Sequence, residues 1–406
     1  MRREFPEGFL WGASTASHQV EGGTKNQWSD WEVSPKRMAD LDRRGLLEKH
    51  GRENFVSGGA ADHYRRYDED FALAKELGHT ATRISLEWSR IEPEEGVFDM
   101  EEIRHYRDVV VSIRRHGIEP FVTLWHWTMP RWFYAKGGFG NRGNIHFFSR
   151  FAARMAAEFP EVAFWITINE PEIYTQNSYM QGLWPPQERN WIKGWLVFRN
   201  LMGAHKAAYR AIKAVRPDAR VGISKNNIYF EAYRDQWWDV LMKKTFDWIW
   251  NFHFLNVIRR EQDFIGLNHY FHGRIKNWRP NQNDNIRMSD LEWELAPDAM
   301  YHVLMDLKRY HVPIYVTENG LADAADRHRM WFIKETLKAV HHAIRGGVDV
   351  RGYLHWSLMD NFEWAHGFWP RFGLVEVDYA TQERRPRPSA QYYKKIIEEN
   401  AVEDDD

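Results

Sequence analysis

The feature that most constrains the fold of this chain is an alternation of short apolar runs with longer amphipathic segments, repeated eight times. The apolar runs are candidate strands and lie at residues 9–15, 80–87, 120–127, 163–169, 220–226, 263–270, 313–319 and 350–358. Several are almost continuously apolar, as in Phe-Trp-Ile-Thr-Ile at 164–168, which is typical of parallel strands buried on both faces. Stretches with the amphipathic period of outer helices lie at 67–77, 103–116, 147–159, 201–215, 299–310 and 327–345.

This pattern predicts an α/β fold, a single (β/α)8 or TIM barrel. No linker rich in Pro, Gly or Ser divides the 406 residues, so the predicted barrel domain spans 1–397. A doubly wound sheet is the alternative, and it is weakened because neither G-x-G-x-x-G nor G-x-x-x-x-G-K-[ST] follows any predicted strand. Residues 398–406 are acidic, and we expect them to form a disordered, solvated tail.

Charge and cysteine content exclude several classes of protein. Lys and Arg total 55 against 57 Asp and Glu, so we expect neither nucleic acid nor a membrane surface as a partner. The absence of cysteine excludes disulfides, thiolate nucleophiles and Cys-based metal sites. The first residues lack the apolar core of a signal peptide, about 7–15 residues long, so we expect a cytoplasmic protein. The sequence leaves a homo-oligomer open.

Two carboxylates stand out at the predicted strand ends, where barrels place their reactive groups. Glu170 and Glu318 each directly follow a strongly apolar run, a position where a charge is costly unless it is partnered or used. They end the fourth and seventh predicted strands, so they can face each other across the barrel. Two facing carboxyls suit glycoside hydrolysis. A pair of strand-end salt bridges is the structural alternative.

Other strand ends supply groups that suit a sugar. Four of them carry hydrogen-bonding side chains that match sugar hydroxyls, namely Gln19, His126, Asn169 and Glu363. Trp356 and Trp364 lie in a polar segment and could provide a stacking platform. Arg83 is a cation inside the second strand. It predicts a buried ion pair, and an arginine beside a carboxylate also keeps that carboxylate ionised.

The histidines give little support to a metal site. His126 lies between two tryptophans, no H-E-x-x-H occurs, and the adjacent His341 and His342 fall within a predicted outer helix. We therefore expect neither a metal nor another cofactor. A metal-dependent barrel hydrolase built on His126 and His269 is the alternative from another enzyme class.

A series of motifs along nearly the whole chain resembles glycoside hydrolase family 1, the β-glucosidase and β-galactosidase family of retaining (β/α)8-barrel enzymes. The motifs are FLWG at 9–12, HQVEG at 18–22, RISLEWSR at 83–90, LWHW at 124–127, TINEP at 167–171, TENG at 317–320 and WSLMDNFEW at 356–364. Each motif alone would be weak. Their occurrence in family order with barrel spacing makes the resemblance specific.

The resemblance implies a role for each matching residue. Glu170 in the NEP motif matches the general acid/base, and Glu318 in the TENG motif matches the nucleophile. The residues that match contacts to the terminal sugar are Gln19, His126, Asn169, Tyr270, Trp356, Glu363 and Trp364. Arg83 matches a partner of the nucleophile, as Tyr270 does, and Asn268 belongs to the same cluster on the sixth strand.

Taken together, these observations predict a retaining exo-β-glycosidase that acts on small β-glycosides and releases terminal glucose-type or galactose-type sugars. The two carboxyl carbons are expected to lie about 5 Å apart, the separation required for double displacement. Arg83 should lower the pKa of Glu318, and the charge on Glu318 should raise the pKa of Glu170. The sequence is also compatible with a transglycosylase that forms the same covalent intermediate and with a non-catalytic sugar-binding barrel.

Overall fold

The computed structural model describes residues 2–404, and a closed barrel of eight parallel strands lies at their centre. In chain order the barrel strands are β1 Leu10–Ser14, β2 Ala81–Ser85, β3 Glu119–Trp125, β4 Phe164–Asn169, β5 Arg220–Asn226, β6 Phe264–Asn268, β7 Ile314–Glu318 and β8 Val350–Trp356. Neighbours in the barrel are neighbours in sequence, and β8 pairs with β1 to close it. Each predicted apolar run except the third, where β3 starts one residue earlier, contains its whole barrel strand, so the predicted fold is confirmed.

A long helical segment follows each barrel strand. These helices are α1 His63–Glu76, α2 Met100–Arg115, α3 Ile145–Glu158, α4 Trp191–Val215, α5 Trp237–Phe246, α6 Ala299–Leu307, α7 Arg329–Arg345 and α8 Pro388–Glu399. A π-helical segment, Asp247–Phe252, continues α5 into the short helix His253–Val257. Within residues 2–404, no helix has the length and apolar character needed to cross a membrane.

The loops above the carboxyl ends of the strands carry most of the remaining structure. Short helices are Ser17–Val20, Gln27–Glu32, Pro35–Arg43, Leu46–His50, Trp88–Ile91, Arg131–Ala135 and Pro171–Thr175. Two further strand pairs are the parallel Tyr229–Ala232 with His272–Ile275 and the antiparallel Val375–Asp378 with Glu383–Pro386.

An aromatic cluster fills the amino end of the barrel. Phe121, Phe164, Phe264 and Tyr315 project inward from four strands, and the rings of Phe121 and Phe164 stack with centroids 4.2 Å apart. Further along the strands, the inward side chains become polar, as at Thr123. The barrel is therefore packed shut at the amino end and can open only at the carboxyl ends of its strands.

Two of the strands lose their regular pairing just before the candidate glutamates. The register of β4 against β5 shifts between Ile166 and Asn169, and that of β7 against β6 shifts between Val316 and Glu318. Such irregularities re-aim side chains at barrel rims. Successive residues of a regular strand point to opposite faces. Because the register shifts here, Thr317 bonds to side chains inside the barrel and Glu318, the next residue, also points toward its centre.

The carboxyl-terminal segment differs from the expected disordered tail. Residues Ala401–Glu403 form a strand that pairs antiparallel with Arg2–Glu4, and Val402 is fully buried. Asp404 accepts a hydrogen bond from Arg3 at 2.9 Å. Two consecutive apolar residues, rather than overall acidity, decide the structure here, because Ala401 and Val402 are buried while Glu403 stays exposed. Asp405 and Asp406, also part of the predicted tail, lie outside the described residues.

Candidate active site

The predicted site residues gather around one cavity of about 730 Å³ at the carboxyl ends of the strands. Those that line it are His126, Glu170, Tyr270, Glu318, Trp356, Glu363 and Trp364. The others, Gln19, Arg83, Asn169 and Asn268, are buried directly behind and hydrogen-bond to the lining residues. A second cleft of about 840 Å³, along α6 and α7, contains neither candidate carboxylate.

Glu318 is buried and paired with a cation. Arg83, itself fully buried, contacts Oε1 of Glu318 through Nη1, and the Tyr270 hydroxyl donates to Oε2 at 2.9 Å. Burial raises the pKa of Glu318, while the charge of Arg83 and these hydrogen bonds act in the opposite direction. Arg83 thus lowers the pKa of Glu318, as expected. Burial raises it by more, so the pKa of Glu318 lies above its usual value.

Glu170 has a different environment. It follows β4 with a left-handed backbone, φ +40°, and its Oε1 accepts hydrogen bonds from Nδ2 of Asn226 and of Asn268, both at 3.0 Å. Burial and the charge of Glu318 raise the pKa of Glu170 to about 8. Because two amides already donate to Oε1, a proton on this carboxyl is directed to Oε2. This raised pKa favours the protonated form of Glu170 at neutral pH.

One hydrogen-bond network links the two carboxylates. Nη2 of Arg83 donates to Oδ1 of Asn169 at 2.8 Å, and Nδ2 of Asn268 donates to the same oxygen at 3.1 Å as well as to Glu170. The network runs from Glu318 through Arg83, Asn169 and Asn268 to Glu170. The ion-pair alternative accounts for Glu318 but not for Glu170, whose hydrogen-bond donors are neutral amides.

Two of the predicted site residues each have a buried polar atom that finds no partner among residues 2–404. Asn169 donates through Nδ2 to Nε2 of His126 at 3.0 Å, so the ring proton of His126 lies on Nδ1, which is unpaired. Gln19 donates through Nε2 to Asn361 and to the Phe362 carbonyl, which leaves its Oε1 unpaired. Leaving buried polar atoms unpaired costs about 1–3 kcal/mol each. One unpaired donor and one unpaired acceptor are what a ligand hydroxyl can satisfy.

Aromatic rings and a third carboxyl complete the cavity. Trp364 stacks on His126 with centroids 5.7 Å apart and packs against Trp127 at 4.8 Å, and Trp356 lies 6.0 Å from His126. Burial and the charge of Glu318 raise the pKa of Glu363 to about 8. The result is a flat apolar wall with a hydrogen-bonding carboxyl beside it, an arrangement that complements a sugar ring.

The two histidines of the metal alternative are held by separate groups. His126 bonds to Asn169, whereas Nδ1 of His269 donates to the Asn227 carbonyl at 2.9 Å. Across residues 2–404, no group of three or more His, Asp or Glu side chains is placed to hold a metal ion.

The end of β5 was not predicted to belong to the site, but the structure places it beside Glu170. Asn226 donates to Glu170, and Lys225 and Glu172 form a buried pair behind it. The signal was available, since Lys-Asn-Asn at 225–227 ends a barrel strand at the same edge as Glu170. The residue types alone, however, do not show whether Asn226 and Lys225 bind a catalytic carboxylate or only cap the end of the strand.

Comparison with known proteins places these observations in context. The profile described as "Glycosyl hydrolase family 1" matches residues 1–258 and 251–402. A 1,4-beta-D-glucan glucohydrolase from Thermotoga neapolitana is 30% identical over an alignment of 457 positions, gaps included, that covers 99% of this chain and 100% of the relative. A beta-galactosidase from Saccharolobus solfataricus is 30% identical over an alignment of 483 positions that covers 99% of this chain and 96% of the relative. The solved beta-glycosidase from Pyrococcus horikoshii superposes with a TM-score of 0.89 at 37% identity, covering 100% of this chain and 97% of that one.

Proposed function

The chain belongs to glycosyl hydrolase family 1 and is an O-glycosyl hydrolase, and we propose that it works by a retaining mechanism with Glu318 as nucleophile and Glu170 as acid and base. The observation that supports these roles is the contrast between the two buried carboxyls. Glu318 contacts the guanidinium of Arg83, which favours the ionised form, whereas Glu170 receives only neutral amides and has a pKa raised to about 8.

In the first step, a carboxylate oxygen of Glu318 attacks the anomeric carbon of the terminal sugar. The glycosidic bond breaks, and the proton on Glu170 passes to the leaving oxygen. The products of this step are the free aglycone and a glycosyl ester on Glu318. Because the ester carries no charge, the contribution of Glu318 that raised the pKa of Glu170 is lost.

In the second step, Glu170, now ionised, removes a proton from water, and the water oxygen attacks the anomeric carbon. The ester bond breaks, and the sugar leaves with the configuration it had in the substrate. Two displacements at one carbon give this retention. The hydrogen bond from Tyr270 and the contact with Arg83 stabilise the Glu318 carboxylate as it departs.

The unpaired atoms of Gln19 and His126, the carboxyl of Glu363 and the faces of Trp356 and Trp364 are proposed to hold the terminal sugar. The residues do not choose between glucose and galactose, which differ at one hydroxyl, and curated relatives bear both kinds of name. Small β-glycosides of either sugar are the proposed substrates.

The test compares release of nitrophenol from 4-nitrophenyl β-glucoside and β-galactoside by the wild type and by Glu318→Ala. We expect turnover by the wild type and a loss of several orders of magnitude in the variant, because nucleophile and acid act as a unit. Azide added to Glu318→Ala should restore activity and yield the α-glycosyl azide, which identifies the missing group as the nucleophile. If Glu318→Ala keeps activity close to that of the wild type, Glu318 is not the nucleophile.

A further inference from the structure

A buried ion pair beside Glu170 has no part in the mechanism above. Nζ of Lys225 lies 2.8 Å from Oε1 of Glu172, and the two side chains are 0% and 4% exposed. Removing both charges from water is unfavourable, so a buried pair adds little net stability and is often replaceable by apolar residues. The Lys225–Glu172 pair lies next to Glu170, the proposed acid, which suggests a role other than stability.

The ammonium of Lys225 uses all three of its protons. Besides Glu172, it donates to the carbonyl oxygens of Asn226 and Trp250, each at 2.6 Å. Trp250 belongs to the π-helical segment Asp247–Phe252 and lines the catalytic cavity. A single buried cation therefore joins the carboxyl end of β5 to the wall of the site.

Asn226 is held on three sides by this arrangement. Its backbone N–H donates to Oε1 of Glu172 at 2.8 Å, its carbonyl accepts from Lys225, and its Oδ1 accepts from Nε1 of Trp250 at 3.3 Å. The remaining group, Nδ2, donates to Oε1 of Glu170. Lys225 and Glu172 therefore hold the backbone of Asn226, and Lys225 also holds the carbonyl of Trp250, whose indole bonds to the Asn226 side chain.

We propose that Lys225 and Glu172 are positioning residues for the acid/base: they fix Asn226 so that its amide occupies Oε1 of Glu170 and the catalytic proton stays on Oε2, facing the leaving oxygen. This inference rests on the proposed role of Glu170. Both residues act through Asn226 and neither lines the cavity. Without Lys225 and Glu172, the Glu170 carboxyl is still present, but its proton is less strictly confined to Oε2.

The effect should depend on how much the leaving group needs a proton. A 2,4-dinitrophenyl β-glucoside leaves without protonation, whereas an alkyl β-glucoside requires it. We expect Lys225→Met to change kcat/KM little for the first substrate and to lower it about tenfold or more for the second, a part of the 10²–10⁴-fold that general acid catalysis supplies. Burst titration with a 2-fluoro glycoside normalises both rates to the folded, active fraction.

Two variants guard against a simple folding defect. Glu172→Gln with Lys225→Met removes both charges together, so no unpaired ion is buried, and it should show the same selective loss. Lys213→Met is the control: Lys213 lies in α4, away from the cavity, and its Nζ contacts Asp263 at 2.6 Å and the Ala219 carbonyl, next to the amino end of β5, at 2.5 Å. It should leave the ratio of the two rates unchanged.

Reference variants separate the outcomes. Glu170→Ala should lose far more activity on the alkyl glucoside than on the dinitrophenyl one, and if it does not, the proposed role of Glu170 fails. If Glu170→Ala behaves as expected but both Lys225 variants slow the two substrates equally, the positioning role is overturned. In an Asn226→Ala background, Lys225→Met should produce no further change in the ratio, and an additive change would also overturn it.

Discussion

At the residue scale, identical side chains acquire different chemistry from their neighbours. Glu170 and Glu318 are both buried, and burial raises the pKa of each, yet only Glu318 contacts a guanidinium. Asn226 and Asn268 stabilise Glu170 without supplying charge. The difference in charge between these partners, more than burial, distinguishes the proposed nucleophile, Glu318, from the proposed acid, Glu170.

This difference predicts the pH dependence of kcat/KM. Activity should fall at high pH as Glu170, with a pKa of about 8, loses the proton that the leaving group needs, and at low pH as Glu318 becomes protonated. The two groups interact, so the limbs report the pair. The measurement is kcat/KM for 4-nitrophenyl β-glucoside from about pH 4 to about pH 10.

Glu170→Gln, assayed beside the wild type on the same 4-nitrophenyl β-glucoside, should lose the basic limb and keep the acidic one. The variant matters because Glu363 also has a pKa of about 8. If the basic limb persists unchanged in Glu170→Gln, it reports the ionisation of Glu363 instead of Glu170.

At the element scale, the two ends of the described chain support each other. The strand Ala401–Glu403 pairs with Arg2–Glu4, and Asn400 accepts from Nε1 of Trp11 at 2.9 Å. The strand pair packs against α7, which contacts both strands. A short segment that looks like a solvated tail by composition therefore belongs to the packed structure.

The buried position of Val402 provides a test of that pairing. Val402→Ala removes two buried methyl groups and should lower the free energy of unfolding by about 2 kcal/mol, because each buried methylene-sized group contributes about 0.8 kcal/mol. Denaturant unfolding followed by tryptophan fluorescence measures this. Glu403→Ala, an exposed change on the same strand, should stay within about 0.5 kcal/mol of the wild type, and equal behaviour of the two variants would argue against a packed strand.

At the scale of the whole molecule, the barrel separates stability from chemistry along its axis. The aromatic cluster of Phe121, Phe164, Phe264 and Tyr315 closes the amino end, and the catalytic cavity occupies the carboxyl end. The polar network of Arg83 and Asn169 lies between them. Changes at the two ends should thus affect different properties.

Phe121→Ala tests this separation. The Phe121 ring is fully buried, with centroids 4.2 Å from Phe164 and 5.1 Å from Tyr315, so its loss should cost about 3–5 kcal/mol of stability. Per active site, kcat/KM should remain close to the wild-type value. A large drop in kcat/KM with unchanged unfolding would show that the cluster belongs to the chemistry instead.

The sequence by itself determined the number and order of the barrel strands and the placement of Glu170 and Glu318 at their ends, because hydrophobic periodicity and strand ends are local properties. The pairing of residues 401–403 with the amino terminus arises only in the folded chain. The same holds for the bonds from Lys225 to Glu172 and Trp250 behind Glu170. These features are contacts between residues far apart in the chain, and only closure of the barrel, which brings distant strand ends to one rim, creates them.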